Sequence, residues 1–327
     1  MITPTVAVIG TGGTIAGRSH GDGTRYQAAQ NSVNDVIRTG LATSTGIRFI
    51  GDDACSVAGQ AMTEHDWRII RNHILDKVAD PVVTGVIVTA GTDTLEELSY
   101  FLHLSLPTDK PVVVVGAMRP LDQSDSDAPA NLEAAVSWVT SQQMTCRSFG
   151  VVVAMDGVIH PARGLSKLHT HAVNSIQHRT WWTSRRATSP TDAVAHRHTT
   201  NSEFAIEPMP LLPRVDLLYG YAGDSSDLVH ASIDKGAAGI VFAGVGNGNM
   251  HPKVEQALTD AVAAEKVVVV RSSRVPFGSV QSGGEFTDTD QLIPAGDLPA
   301  PQARVLLLLA LASDLAANEV KRVFQEY

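Results

Sequence analysis

The chain has 327 residues, a formal net charge of −9, and 43% hydrophobic against 18% charged residues. That composition is ordinary for a globular protein with room for a full core in about two domains. The acidic balance argues against a nucleic-acid or anionic-membrane partner. The two cysteines, Cys55 and Cys146, have neither metal-ligand nor redox spacing and cannot staple a chain of this size, so a reducing compartment fits them. The longest apolar run, VLLLLALA at 305–312, is well short of the roughly 20 residues a spanning helix needs. MITPTVAVIG enters a strand pattern at once, without the basic and apolar regions of an export signal, and a cytoplasmic location is the expectation.

In chain order, the strand VAVIG (6–10) is followed by helical patterns at 32–40 and 64–79, the strand GVIVTA (85–90) and a helix at 95–106. Then come PVVVVGA (111–117), a helix at 128–142 and GVVVAM (150–155). The last third repeats the alternation: a helix at 226–235, GIVFAGV (239–245), a helix at 253–266, VVVVR (267–271) and one long helix at 302–325. Continuous apolar, β-branched runs are how strands buried on both faces look, and their alternation with helices predicts a parallel α/β sheet. From about 188 to 213 the composition shifts to Ser, Thr, Pro and His without periodicity. The expected division is an N-terminal catalytic domain at 1–190, a linker at 191–213 and a smaller C-terminal α/β domain at 214–327. The locally basic stretch between His178 and His198, with Arg179, Arg185, Arg186 and Arg197, reads as a solvated loop.

Two threonine-rich loops follow strands: TGGT after VAVIG, and TAGTDTLEE closing GVIVTA. In open α/β sheets, ligands bind outside the carboxyl ends of the strands, where such loops converge. A bland reading makes the first a tight βα turn whose threonine caps a helix, and the second a capping box of Asp93 with Glu96 or Thr94 with Glu97. A dinucleotide site is disfavoured, because Ile15 stands where the third glycine of its fingerprint belongs, and no phosphate loop ends in Gly-Lys-Ser/Thr. No Gly-x-Ser-x-Gly elbow is present. His169-Thr-His171 and His196-Arg-His198 lack an HExxH or Cys/His context, so they read as surface histidines and no metal is expected. A hydroxyl nucleophile suits the residues better. A threonine Oγ needs a group to take its proton and donors for the developing oxyanion. Thr14 or Thr92 could supply the hydroxyl, Asp93 a charge and a lysine the proton relay; spacing alone does not choose the lysine.

TGGTIAG, GTDT-L-EE, KPVVVVGAMRP at 110–120, AGVGNGN at 243–249 and VVRSSRVPFG at 269–278 together resemble the bacterial L-asparaginases of the threonine-nucleophile family, over almost the whole chain and in that family's motif order. The resemblance implies a flavodoxin-like parallel-sheet N-terminal domain with a smaller α/β C-terminal domain. It also implies a homotetramer of intimate dimers with sites completed by the neighbouring subunit, and hydrolysis of the side-chain amide of asparagine, often also glutamine, through an acyl-threonine without metal or organic cofactor. Carried over by motif, Thr14 is the nucleophile and Tyr26, in GDGTRYQ, its hydroxyl partner, with a mobile lid at 19–23. Thr92, Asp93 and Lys167 (in GLSKLHT) form the second catalytic group, in which Asp93 also grips the substrate α-amine. Gln60 contributes to substrate binding, and Asn249 and Glu285 match residues lent across the dimer interface.

The chain departs from that pattern in the loop for the substrate α-carboxylate, VAGQAM at 57–62. Gly59 replaces the expected hydroxyl residue, Ala61 a common acid, and Ala90 the histidine of the HGTDT signature. Losing one hydroxyl donor to a carboxylate costs about 1.5–3 kcal/mol unless a backbone N–H or a water substitutes. Two alternatives follow: a relative acting on another small amide (glutamine, a D-amino acid amide, or an amide with altered carboxylate recognition), and a non-catalytic amino-acid-binding protein.

Overall fold

Runs of valine and isoleucine with no polar face must be covered on both sides, and the chain does this with two parallel sheets flanked by helices. The computed structural model describes residues 3–20, 25–141, 149–178, 197–281 and 291–327. Among these, one compact unit takes in the residues up to His178 together with His198–Ile206, and a second takes in Arg197 and Glu207–Tyr327.

The first unit contains β1 (Thr5–Gly12), the short strands β2 (Arg18–His20) and β3 (Arg25–Gln27), α1 (Val33–Gly40), β4 (Arg48–Val57), α2 (Glu64–Ala79) and β5 (Val83–Thr89). It continues through α3 (Leu95–Ser105), β6 (Val112–Val115), α4 (Ala128–Thr140), β7 (Val151–Met155), β8 (Val158–Pro161), β9 (Leu165–Lys167) and β10 (Ile176–His178). The main sheet runs β4-β1-β5-β6-β7-β8, parallel throughout except for β8, which turns back antiparallel on β7. Counting its parallel strands along the chain, the order is 2-1-3-4-5, the flavodoxin-like arrangement, whose ligand crevice opens where the winding reverses. That reversal lies between β1 and β5, the two strands that run into the threonine-rich loops. Helices α1 and α4 cover the face carrying Val6, Val8, Ile87, Val113 and Val115. Helices α2 and α3 meet through Trp67 and Phe101, with ring centroids 5.4 Å apart.

The second unit has β11 (Val215–Tyr219), α5 (Asp227–Asp234), β12 (Gly239–Gly244), α6 (Pro252–Ala263), β13 (Val268–Ser273), β14 (Leu292–Pro294), α7 (Ala300–Ala312) and α8 (Ala317–Glu326), with a parallel sheet in the order β11-β12-β13-β14. Among the described residues, no helix is long and apolar enough to cross a membrane.

Three local expectations are corrected. The helical pattern at 302–325 is two helices, because Asp314 takes a left-handed φ of 54° after Ser313 and the Glu319 carboxylate accepts the Ala316 N–H to start α8. No helix follows TGGT: the Thr14 carbonyl accepts the Gly17 N–H in a tight turn, and the chain enters the β2–β3 hairpin. The capping box at 93–97 does not form. The Thr94 hydroxyl instead donates to the Gly59 carbonyl (2.8 Å), and the Glu96 carboxylate accepts the Lys167 N–H (2.7 Å).

At the antiparallel edge, His160 on β8 has its ring Nε2 buried without a hydrogen-bond partner among the described residues, and burial pushes the imidazole below its usual range. A histidine whose folded pKa is depressed stabilises the fold above its unfolded pKa, and that contribution is lost as pH falls through the window between the two values. The fold should therefore melt lower at pH 5 than at pH 7.5, and His160→Gln should reduce that difference. An unchanged difference in the variant, read by thermal denaturation, would contradict this assignment.

Candidate active site

Three backbones meet at the crevice because three glycines permit it. Gly13, at φ 73°, packs so closely that a Cβ there would overlap the Gly91 amide, and a Cβ on Gly91 would lie 2.7 Å from the Gly59 Cα. The loop after β1, the turn after β4 and the loop after β5 are thus locked together, with Thr14 and Thr92 each one residue beyond a contact point. The Gly13 N–H donates to the Val57 carbonyl (2.9 Å), which fixes the first loop to the end of β4.

Thr14 is 9% exposed, and its Oγ1 lies 3.1 Å from the Tyr26 hydroxyl. Tyr26 stands on β3, directly opposite Ser19 on β2, and is 45% exposed. Thr92 is 5% exposed, and Lys167 donates from Nζ to the Thr92 Oγ1 (2.9 Å) and to the Asp93 Oδ1 (2.8 Å). The lysine comes from β9, which pairs with β10 at Lys167 and Ile176, while its main-chain N–H is held by Glu96 on α3. The structure therefore brings together two groups: a hydroxyl pair, Thr14 with Tyr26, and a hydroxyl–ammonium–carboxylate group, Thr92 with Lys167 and Asp93. Gly59 is buried in the turn behind Asp93 and exposed Gln60 follows it; Ala90 is 1% exposed, with its N–H on the Val115 carbonyl (2.8 Å).

A second layer escaped the sequence reading. The loop after β6 passes under Thr92, where a Cβ on Gly116 would lie 2.9 Å from the Thr92 Cγ2. Asp127 holds that loop by accepting the N–H of Met118 (3.0 and 3.1 Å) and of Arg119 (3.0 Å). The Asn131 side chain donates to the Gly116 carbonyl (3.0 Å) and accepts the Gly157 N–H (2.8 Å). The available signal was Asn131 itself, a polar residue on the apolar stripe of α4, where only hydrogen bonding makes its burial tolerable.

In the second unit, Asn249 closes a main-chain bridge with Val245 (2.8 and 2.7 Å) just after β12. Arg271, 3% exposed, supports that hairpin by donating to the Asn247 carbonyl (2.6 Å) and the Gln281 carbonyl (2.7 Å), and the Ser273 hydroxyl donates to the Gly246 carbonyl (2.7 Å). Glu285, His196 and Cys146 lie outside the described residues. The His169 Nδ1 accepts the N–H groups of His171 and Ala172, and among the described residues no group of three or more His, Cys, Asp or Glu is placed to hold a metal ion.

Known proteins resemble this chain over nearly its whole length. The family description "Asparaginase, N-terminal" matches residues 5–188, and "Glutaminase/Asparaginase C-terminal domain" matches residues 214–324. The chain is 32% identical to L-asparaginase 2 of Bacillus subtilis over 99% of this chain and 87% of that protein. It is 33% identical to the glutaminase-asparaginase of Acinetobacter glutaminasificans over 98% and 99% of the respective chains. A crystal structure of a probable cytoplasmic L-asparaginase from Campylobacter jejuni superposes with a TM-score of 0.89 at 32% identity, covering 99% of this chain and 100% of that one. Two family domains that together span most of the chain, with relatives 32–33% identical over nearly its whole length, establish that it belongs to the asparaginase family.

Proposed function

We propose that this asparaginase-type amidohydrolase hydrolyses the side-chain amide of L-asparagine to aspartate and ammonia through an acyl-threonine at Thr14. The observation that carries the reading is Lys167 on β9, bonded to both Thr92 and Asp93, whose loop touches the Thr14 loop at Gly91 and Gly13. In the first half, the Thr14 Oγ attacks the amide carbonyl carbon, its proton leaves by way of the Tyr26 hydroxyl, and the C–N bond breaks as the nitrogen departs protonated as ammonia. In the second half, water adds to the ester carbonyl carbon, the bond between that carbon and the Thr14 Oγ breaks to release aspartate, and the Thr14 oxygen recovers a proton originating from the water. Lys167 tunes the Thr92 hydroxyl, which guides water or the departing nitrogen, and the half-exposed Asp93 carboxylate receives the substrate α-amine together with Gln60. No cofactor or metal takes part in this scheme.

We further propose a cytoplasmic homotetramer of intimate dimers in which Asn249 and Glu285 of one chain complete the neighbour's site. Tyr219, Tyr221, Val245 and Val275, all exposed at the carboxyl ends of β11, β12 and β13 around the Asn249 hairpin, support an interface there. Light scattering should return a multiple of the single-chain mass.

One observation favours a second reading. Gly59 offers no hydroxyl to a substrate carboxylate, so another small amide (L-glutamine, a D-amino acid amide, or an amide with altered carboxylate recognition) is the alternative. Ammonia release from L-asparagine, D-asparagine, L-glutamine and succinamic acid, with Thr14→Ala as the blank, separates the two. Asparagine in the lead supports the first, and another amide in the lead overturns it in favour of the second. A Cβ at position 59 would sit 3.3 Å from Asp93 N and the Gly91 backbone, tight but not overlapping. Gly59→Ser is accordingly expected to lower the KM for L-asparagine about tenfold, the effect of one restored hydrogen bond to a charge. The KM for 3-aminopropanamide, which lacks the carboxylate, should not move. Equal changes for both amides would contradict a carboxylate role for position 59.

A further inference from the structure

We propose that Asp122 is a positioning residue for catalysis: its carboxylate grips the β2–β3 hairpin and so keeps the Tyr26 hydroxyl on Thr14. The inference rests on the roles of Thr14 and Tyr26 proposed above. Asp122 is exposed in the loop between β6 and α4, 103 residues from the hairpin. Ser19 donates to it twice, from its main-chain N–H to Oδ2 (2.9 Å) and from its hydroxyl to Oδ1 (2.7 Å). Holding one residue by both its main chain and its side chain fixes the position and the rotation of β2 together. Ser19 is the cross-strand partner of Tyr26, and the Tyr26 hydroxyl is 3.1 Å from the Thr14 Oγ1. Carboxylate, serine, tyrosine and nucleophile therefore form an unbroken series of contacts.

The hairpin needs such a tether. Its strands have three residues each, and a two-stranded ribbon of that size is marginal by itself. Tyr26, 45% exposed, is not fixed by core packing. The hairpin base is tied independently: Asn31 Nδ2 donates to the Gly17 carbonyl (2.8 Å), and the N–H groups of Gln30 and Asn31 reach the Ala16 carbonyl (2.8 and 2.9 Å). Those bonds secure residues 16 and 17, the Arg18 guanidinium adds a longer bond to Asn31 Oδ1 (3.3 Å) at the start of β2, and the hold on Ser19 itself comes from Asp122. The other acids of the same loop serve the loop itself, Asp125 pairing with Arg119 (3.1 Å) and Asp127 accepting the N–H groups at 118 and 119. The Ser19 N–H, joined by the Ser19 hydroxyl and the Arg18 charge, outweighs desolvation and holds the Asp122 carboxyl below its ordinary range, so the grip is anionic at neutral pH.

The test is steady-state kinetics on L-asparagine for the wild type, Asp122→Ala, Asp122→Asn, Tyr26→Phe and the Asp122→Ala/Tyr26→Phe double variant, with melting temperatures alongside. Asp122→Ala should lower kcat about tenfold, with KM within about twofold and an unchanged melting temperature, the result of a misplaced catalytic group on an intact fold. Asp122→Asn, whose amide oxygen still accepts the Ser19 N–H, should recover most of the loss. The double variant should be no slower than Tyr26→Phe alone, because Asp122 acts through Tyr26. Full kcat in Asp122→Ala, a loss confined to KM, or a double variant showing the product of the two single effects would overturn the role of Asp122 and leave the Thr14–Tyr26 pair standing. Full kcat in Tyr26→Phe would overturn the pair, and the role of Asp122 with it.

Discussion

Thr14→Ala is expected to lower turnover of L-asparagine by about four orders of magnitude or more, roughly 5 kcal/mol of transition-state stabilisation. The size follows from the proposed chemistry, in which removing the Thr14 oxygen leaves binding and polarisation in place but no covalent route. The fold should tolerate the change. Among the described residues, the Thr14 side chain makes one hydrogen bond, to the half-exposed Tyr26, and the main-chain bonds of Gly13 and Gly17 that shape the turn do not involve the side chain. Melting temperature should stay close to that of the wild type, and Thr14→Ser, which keeps the hydroxyl, should retain measurable turnover. Comparable rates for the alanine and wild-type proteins in a coupled ammonia assay would remove Thr14 from the mechanism.

The second large effect concerns Lys167. Its side chain is 18% exposed and is committed at Nζ to Thr92 and Asp93, so Lys167→Met removes the cation and keeps the length of the stem. Turnover should fall about a thousandfold, within the range for losing a positioned acid–base group. The β9 strand should stay in place, because Glu96 holds residue 167 by its main-chain N–H. Thr92→Val, which deletes the hydroxyl the lysine bonds, should produce a loss of similar size. The two changes combined should cost little more than either alone, as expected for residues acting as one unit. Additive losses measured as kcat/KM would show that Lys167 works through some other partner.

The strands legible in the sequence are those buried on both faces. VAVIG, GVIVTA, PVVVVGA, GVVVAM, GIVFAGV and VVVVR all become strands of the two parallel sheets. The edge strand β4, RFIGDDACSV, was not legible, because an edge needs no continuous apolar run and its acids are spent on neighbours. Asp53 accepts the Val33 N–H at the start of α1 (2.9 Å), and Asp52 meets Lys77 (2.8 Å) and His73 (3.1 Å) on α2. The break between α7 and α8 was hidden in the same way, since one left-handed aspartate ends a helix without disturbing the apolar pattern on either side. For the site, the local signals were two hydroxyls and a carboxylate. The lysine that completes them lies 75 residues from Thr92 in sequence, and only the family resemblance singled it out. The glycines at 13, 59 and 91 read as loop residues, whereas their part in the fold is to let three backbones touch. Asp122 was silent in the sequence because its partner, Ser19, is 103 residues away and carries no motif of its own.

The proposed mechanism requires a covalent bond between substrate and Thr14. The direct measurement is the intact mass of the enzyme quenched with acid during turnover of L-asparagine, followed by peptide mapping. A mass increase of one aspartyl group on the peptide containing Thr14, absent from Thr14→Ala, is the predicted result. An adduct on the peptide containing Thr92, or rapid ammonia release with no adduct at any quench time together with an active Thr14→Ala variant, would contradict it.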